Sequence, residues 1–118
     1  PILGNVAAGA PILAEECIED YLTFDTQGMS GEHFALRVRG DSMKNAGILS
    51  GDKVVVRPQS IADDGQIVVA RLGDEATVKR LRRRHGEIWL MPENEAYSPI
   101  NGSDCEIIGI VKAVVREY

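Results

Sequence analysis

The sequence is poor in aromatic residues and in cysteine, has no excess of positive charge and contains no long hydrophobic run. Aromatic residues make up 5% of the chain, so a core has to be built largely from Val, Ile, Leu and Ala. A formal net charge of −5 argues against this chain binding nucleic-acid phosphates by itself. No apolar run approaches the roughly 18 residues of a membrane span, and no signal peptide opens the chain. We therefore expect a soluble, cytoplasmic protein with no membrane partner.

The few cysteine and histidine residues do not form a metal-binding pattern. Cys17 and Cys105 lie far from His33 and His85 in the sequence, so no zinc-ligand spacing exists. One disulfide is arithmetically possible, but we expect reduced cysteines, no metal and no cofactor. The chain begins with Pro1 rather than Met, which indicates a processed chain or a fragment of a longer protein.

The pattern of short apolar segments and turns predicts one all-β or mainly β domain. The 118 residues are enough for one core and too few for two. Gly73-Asp74 has the form of a two-residue hairpin turn, and turn signals such as His85-Gly86 recur every 8–12 residues. The predicted strands are 33–39, 52–57, 65–72, 75–82, 87–91 and 105–116. Residues 1–12 are small, apolar and rich in Gly and Pro, which favours an extended, mobile arm.

Two side chains have the chemistry of a Ser/Lys protease. Ser42 follows a predicted strand on the glycine-assisted turn Gly40-Asp41-Ser42-Met43, where backbone N–H groups could form an oxyanion hole. The alternative is a turn serine that caps a short helical stretch at 43–46. Lys79 lies in the strand after the hairpin, and the alternation of that strand does not decide whether its side chain points inward or is solvated.

A lysine base has to be neutral to accept a proton. The pKa of a free lysine is about 10.4, so on the order of one in a thousand is neutral near pH 7.4. Burial among aliphatic side chains can lower that pKa by up to roughly 3–5 units. The Val and Ile residues around Val68-Val69-Ala70 and Val78 are compatible with such a site for Lys79.

Six short motifs occur in order along the chain. They are Val6-Ala7-Ala8-Gly9-Ala10-Pro11, Gly40-Asp41-Ser42-Met43, Gly47-Ile48 with Gly51-Asp52, Val68-Val69-Ala70, Thr77-Val78-Lys79-Arg80-Leu81 and Leu90-Met91-Pro92-Glu93-Asn94. Each motif is weak alone, but together and in this order they are specific: the sequence resembles the C-terminal self-cleaving (peptidase S24-type) domain of the LexA repressor family over essentially its whole length. The resemblance implies a compact β domain similar to LexA and signal peptidases. It also implies that Ser42 is the nucleophile, Lys79 the general base, and the N–H groups of Asp41 and Ser42 the oxyanion hole.

The resemblance further implies that the family's Ala–Gly cleavage site is Ala8-Gly9 here. Small residues at that bond let the backbone enter a narrow cleft, and tethering makes the reaction intramolecular. Val6 and Ala7 would recognise the cleft, with Val6 in an apolar depression and the arm backbone on a strand edge. An ordinary interdomain linker at 1–12 is the alternative. For a regulated reaction we expect the arm to lie away from Ser42 most of the time.

The family's partners follow from the same resemblance. Residues 1–12 would be the cleavable arm and residues 13–118 an autoprotease that forms a homodimer partly through its last strand. A RecA filament on single-stranded DNA would activate cleavage, and a winged helix-turn-helix domain preceding Pro1 would bind operator DNA. No small-molecule substrate is expected. A UmuD-like polymerase accessory protein and a catalytically idle dimerisation module remain alternatives, and a signal peptidase shares the dyad but needs a membrane anchor.

Two further features have competing interpretations. The basic run Lys79-Arg80-Leu81-Arg82-Arg83-Arg84 could contact DNA or the activator, but a solvated strand end and turn is favoured. A histidine-based triad with Ser42 is disfavoured, because His33 and His85 are expected on strand or turn surfaces.

Overall fold

The structure, a computed structural model, describes residues 5–7, 12–13 and 33–118. The described residues form β-strands connected by turns, with one short 3-10 helix, Lys44–Ala46. The strands are β1 (Asn5–Ala7), β2 (Ile12–Leu13), β3 (Phe34–Arg39), β4 (Lys53–Pro58), β5 (Ile67–Leu72), β6 (Glu75–Arg84), β7 (Glu87–Met91), β8 (Ile100–Asn101) and β9 (Glu106–Val115). The predicted mainly β fold class is confirmed.

The strands form one sheet in the order β1-β3-β4-β9-β5-β6-β7-β8, with β2 attached to β6. The β1–β3 pair is parallel, and the other described pairs are antiparallel. The final strand β9 is therefore not at an edge of the sheet, because β4 pairs with one side of it and β5 with the other. Strand β1 lies close to β6 as well as beside β3, so the amino-terminal strands lie near both β3 and β6.

Each of the six predicted strands is present, with boundaries shifted by at most two residues. The predicted two-residue hairpin is also confirmed, because Leu72 and Glu75 are paired on either side of Gly73-Asp74. Gly73 has a φ of 64°, a left-handed value that glycine adopts at little cost. Strands β1, β2 and β8 were not predicted, since two or three residues are too few to show a period-two pattern.

The core is aliphatic, as the shortage of aromatic residues predicts. Its larger cluster lies mainly between β3, β4 and the turn after β3: Phe34, Leu36, Val38, Met43, Ile48, Val54, Val56, Val69, Ala76 and Val78. A second cluster packs around β5, β6 and β7: Ala62, Val68, Ala70, Leu81, Leu90 and Ile110. Strands β5 and β6 contribute to both clusters, so residues in the middle of β6 are covered on both faces.

Within residues 5–7, 12–13 and 33–118 there is no helix with the length and apolar character that a membrane crossing requires.

Candidate active site

Ser42 lies on a tight turn that begins directly after β3. Gly40 has a φ of 85°, which turns the chain away from the strand direction, and its N–H donates to Ser50 Oγ at 3.2 Å. Asp41 is exposed, whereas the Ser42 side chain is completely buried. The turn therefore directs the hydroxyl of Ser42 into the protein and leaves its neighbour at the surface.

The Ser42 hydroxyl does not cap the short helix that follows it, which was the alternative role for this serine. The 3-10 helix Lys44–Ala46 begins after Met43 and has no side-chain capping hydrogen bond. Among the described residues, Ser42 Oγ has no hydrogen-bond partner. Most buried polar side chains in proteins are paired, so an unpaired buried hydroxyl calls for a functional explanation.

Lys79 is buried in β6, with 1% of its surface exposed. The solvated alternative for this lysine is therefore wrong. Its Nζ donates to Thr77 Oγ1 at 2.6 Å, and its neighbour across the sheet is the fully buried Val68 of β5. Burial disfavours the ammonium form and lowers the pKa of Lys79 to about 8. Lys79 thus has the environment that a lysine base requires near neutral pH.

The loop after β7 connects the Ser42 turn to the strand that carries Lys79. The N–H of Glu93 donates to Ser42 O at 2.6 Å, and Glu93 O accepts from Asn45 N at 2.9 Å. Asn94 Nδ2 donates to Asp41 O at 2.9 Å. The carboxylate of Glu93 also accepts from Arg80 Nε, next to Lys79 in β6. One hydrogen-bonded network therefore holds the turn with the serine against the strand with the lysine.

The amino-terminal strands lie beside both elements of this site. Strand β1 pairs with β3 so that Val6 is opposite Val38 and Ala7 is opposite Arg39, three residues before Ser42. Strand β2 pairs with the start of β6, where Ile12 is opposite Ala76. Ala8 and Gly9 lie outside the described residues. The described parts of the arm are thus bound to the body of the domain.

Part of the basic run at the end of β6 makes ion pairs and hydrogen bonds within the chain. Arg80 pairs with Glu93, and Arg82 Nη1 lies 4.0 Å from Asp64 Oδ2. The Arg83 N–H donates to Asp64 Oδ1 at 2.8 Å, and Arg83 Nη2 donates to the carbonyl of residue 62 at 3.0 Å. These contacts support the interpretation of the run as a strand end and turn.

The histidines and acidic residues that the structure describes form no metal-binding cluster. His85 is exposed at the β6–β7 turn, as expected, whereas His33 is buried immediately before β3, so the expectation of a surface position was wrong for His33. In the part of the chain that the structure describes, no three His, Cys, Asp or Glu side chains are arranged to hold a metal ion.

The fold and this site define a mainly β domain with a buried serine after one strand and a buried lysine in another. The sequence matches the family model described as peptidase S24-like over residues 1–112, and the chain belongs to this family. It is 54% identical to a LexA repressor from Frankia casuarinae over 98% of this chain and 46% of that protein. A LexA repressor from Streptomyces clavuligerus is 52% identical over 98% of this chain and 49% of its own length. A third, from Mycobacterium sp. strain KMS, is 49% identical over 99% of this chain and 51% of its own length. The chain spans about half the length of the curated relatives it matches.

Sequence reasoning assigned no individual role to Thr77, Glu93 or Asn94. Glu93 and Asn94 were part of the motif Leu90-Met91-Pro92-Glu93-Asn94, and their position just after a predicted strand was the available signal. Their contacts with the Ser42 turn could not be predicted, because more than 50 residues separate the two segments along the chain (94 − 41 = 53).

Proposed function

We propose that this chain is the self-cleaving regulatory domain of a LexA-type SOS repressor, with Ser42 as nucleophile and Lys79 as general base. The observation that carries the proposal is the buried Lys79, whose pKa is lowered to about 8. At that pKa about one lysine in ten is neutral near pH 7, compared with on the order of one in a thousand for a solvated lysine. The buried and unpaired hydroxyl of Ser42 is the second support.

The reaction is an acyl transfer. Neutral Lys79 Nζ accepts the proton of Ser42 Oγ as that oxygen attacks the carbonyl carbon of Ala8. The N–H groups of Asp41 and Ser42 stabilise the negative charge that develops on the carbonyl oxygen. Lys79 then returns its proton to the nitrogen of Gly9 as the Ala8-Gly9 bond breaks. Water hydrolyses the resulting ester of Ser42 and frees the enzyme.

The arm supports the choice of substrate. Residues 1–12 would present the bond, and residues 13–118 would form the protease and dimerisation unit. Val6 and Ala7 recognise the site through β1, whose backbone extends β3 as an added strand. Strand β1 ends beside the end of β3, and β2 pairs with the strand of Lys79, so the two described segments of the arm each lie beside one half of the site.

The repressor function rests on the names of the relatives and on the family resemblance. Cleavage at Ala8-Gly9 would separate this domain from a preceding domain that binds operator DNA. A RecA filament on single-stranded DNA would activate cleavage. A homodimer would form partly through β9, where residues 111–115 pair with β4 on one side and with no described strand on the other.

The test is intact-mass analysis of the purified chain after incubation from pH about 6 to about 10. The cleavage rate should rise about tenfold per pH unit below pH 8 and then level off. Only neutral Lys79 is active, and its fraction increases as pH rises to its pKa of about 8. The wild type should lose residues 1–8. Ser42→Ala should stay intact, and so should Lys79→Arg, because a guanidinium does not deprotonate in this range. A rate that does not depend on pH, or an unchanged wild-type mass both alone and with RecA filaments, would contradict the proposal.

A further inference from the structure

The carbonyl groups of Asp41 and Ser42 lie on either side of the Ser42 α-carbon, and both accept hydrogen bonds from the loop after β7. The carbonyl of Asp41 accepts from Asn94 Nδ2 at 2.9 Å and from the N–H of Lys44 at 3.2 Å. The carbonyl of Ser42 accepts from the N–H of Glu93 at 2.6 Å. The Lys44 bond lies within the turn, so of the bonds to these two carbonyls, those from Asn94 and Glu93 connect the turn to the loop after β7.

The direction of the Asp41 carbonyl determines the direction of the Ser42 N–H. These two groups belong to the same peptide unit, which is planar and trans, so they point in opposite directions. The side chain of Asn94 binds the carbonyl end of this peptide and therefore orients the N–H end away from itself. Within the part of the chain that the structure describes, the N–H groups of Asp41 and Ser42 are not among the donors of the turn's backbone hydrogen bonds, which come from Lys44, Asn45, Ala46, Gly47 and Ile48.

Asn94 is itself held in one orientation. Its Oδ1 accepts from the N–H of Ala96 at 3.0 Å, and its backbone carbonyl accepts from the N–H of Tyr97 at 3.1 Å. An N–H can only donate and a carbonyl oxygen can only accept, so the amide has its oxygen toward Ala96 and its nitrogen toward Asp41. The preceding residue, Glu93, is anchored to β6 through Arg80.

We propose that Asn94 is a positioning residue for self-cleavage, which orients the Ser42 N–H as a donor to the oxyanion of the tetrahedral intermediate. This inference rests on the proposed function. It assigns to Asn94 a contribution to the maximum rate, separate from the proton transfer that Lys79 controls. Because removal of a whole oxyanion donor lowers kcat by about 100- to 1,000-fold, loss of its orientation should lower the rate by about 10- to 100-fold.

The matched experiment compares Asn94→Asp with Asn101→Asp. Both asparagines accept a hydrogen bond at Oδ1 from an N–H two residues later, 3.0 Å from Ala96 and 2.9 Å from Ser103. The aspartate retains that acceptor in both variants, and only at position 94 is the donor to Asp41 removed. The pH profile of cleavage is measured by intact mass for wild type, both variants and Ser42→Ala, with thermal unfolding of each.

Asn94→Asp is expected to cleave about 10- to 100-fold more slowly than wild type on the plateau above the Lys79 pKa, with its unfolding temperature close to that of Asn101→Asp. The comparison is made on the plateau because the new carboxylate can raise the pKa of Lys79, which moves the midpoint of the profile. Its negative charge also opposes the oxyanion, so an uncharged variant separates this charge effect from the loss of the Asn94 donor. Asn94→Ala, which adds no charge, should show the same lower plateau with the wild-type midpoint, and it replaces Asn94→Asp if that variant does not fold.

Equal plateau rates for wild type and the Asn94 variants would overturn the role of Asn94 and leave the Ser/Lys mechanism standing. A fall in plateau that is matched by Asn101→Asp would also overturn it. If wild type and Ser42→Ala both remain uncut under all conditions, the proposed function itself fails. That result differs from failure of the Asn94 role alone, in which wild type is still cleaved at a measurable rate.

Discussion

Burial of Lys79 costs folding free energy at neutral pH. Its pKa is about 8 in the folded chain and 10.5 when the side chain is in water, so the unfolded chain binds the proton more strongly. Below pH 8 both states are protonated and the folded state carries the full penalty. Between pH 8 and 10.5 the folded state has lost the proton and the unfolded state has not, so stability rises with pH by about 3 kcal/mol in total.

We therefore expect Lys79→Met to increase the free energy of unfolding near pH 7 by an amount on the order of this penalty, about 3 kcal/mol. The difference from the parent should shrink as pH rises through 8 and largely disappear near 10.5. Urea denaturation at both extremes, in a Ser42→Ala background so that no chain is cut, measures it. If the two chains differ in free energy of unfolding by the same amount at both pH values, Lys79 is not desolvated in the folded state.

The two residues of the proposed dyad could be selected from the sequence, but their environments could not be predicted from it. Resemblance to a family identified Ser42 and Lys79. The burial of Lys79 was not readable from alternation, because Ala76, Thr77, Val78 and Lys79 are four consecutive buried residues. A strand that is covered on both faces has no period-two pattern, so a lysine in it looks the same in sequence as a lysine at a surface.

Among the elements, long strands were predictable and short contacts between distant segments were not. The strands β3 to β7 and β9 each contain enough Val, Ile and Leu to be recognised, and the Gly73-Asp74 turn determines the β5–β6 register. The loop after β7 has no periodic pattern. Its function as the support of the Ser42 turn depends on single hydrogen bonds from Glu93 and Asn94, for which sequence contains no local signal.

Arg116, just after β9, bonds the carboxyl-terminal end of the sheet to the segment that follows the Ser42 turn. Its Nε donates to Asp52 Oδ1 at 2.7 Å, and its Nη2 donates to Asp52 Oδ2 at 2.7 Å and to Gly47 O at 3.1 Å. Asp52 is 1% exposed, and its Oδ2 accepts from the N–H of Leu49 at 2.8 Å. The bond with Arg116 is the main reason that the pKa of Asp52 lies below its ordinary value.

Arg116→Ala should lower the free energy of unfolding near neutral pH by more than loss of a fully exposed ion pair does, because it leaves the carboxylate of Asp52 without its charged partner. The lowered pKa of Asp52 means that this contribution is present above the unfolded value of 3.8 and is lost as pH falls below it. The matched control is Arg71→Ala, which breaks a 2.6 Å pair with Glu106 whose side chains are 48% and 61% exposed, and which should cost less than about 1 kcal/mol. Equal losses in chemical denaturation would show that Asp52 does not depend on Arg116.

In the whole molecule, the arm is attached to the body on both sides of the bond proposed for cleavage. Strand β1 adds to β3 in parallel, and β2 adds to β6 in antiparallel orientation. Only residues 8–11 separate the two attachments in the chain. An arm from a second molecule would have to displace β1 and β2, and it would also lack the effective concentration of up to about 10⁵–10⁸ M that well-oriented intramolecular reactants can reach.

Self-cleavage should therefore be first order, with a rate constant that does not change when the protein is diluted. Mixing active chain with a mass-labelled Ser42→Ala chain should leave the labelled arm intact while the active chain is cut, because each arm is bound to its own β3 and β6. The concentration series and the mixture are both followed by intact mass at pH above 8, where Lys79 is neutral. A rate that increases in proportion to concentration, together with cutting of the labelled chain, would mean that β1 and β2 exchange between molecules faster than Ser42 reacts. The pairing of the arm with β3 and β6 would then be a transient docking site open to any arm in solution, and control of cleavage would have to depend on separation of the molecules.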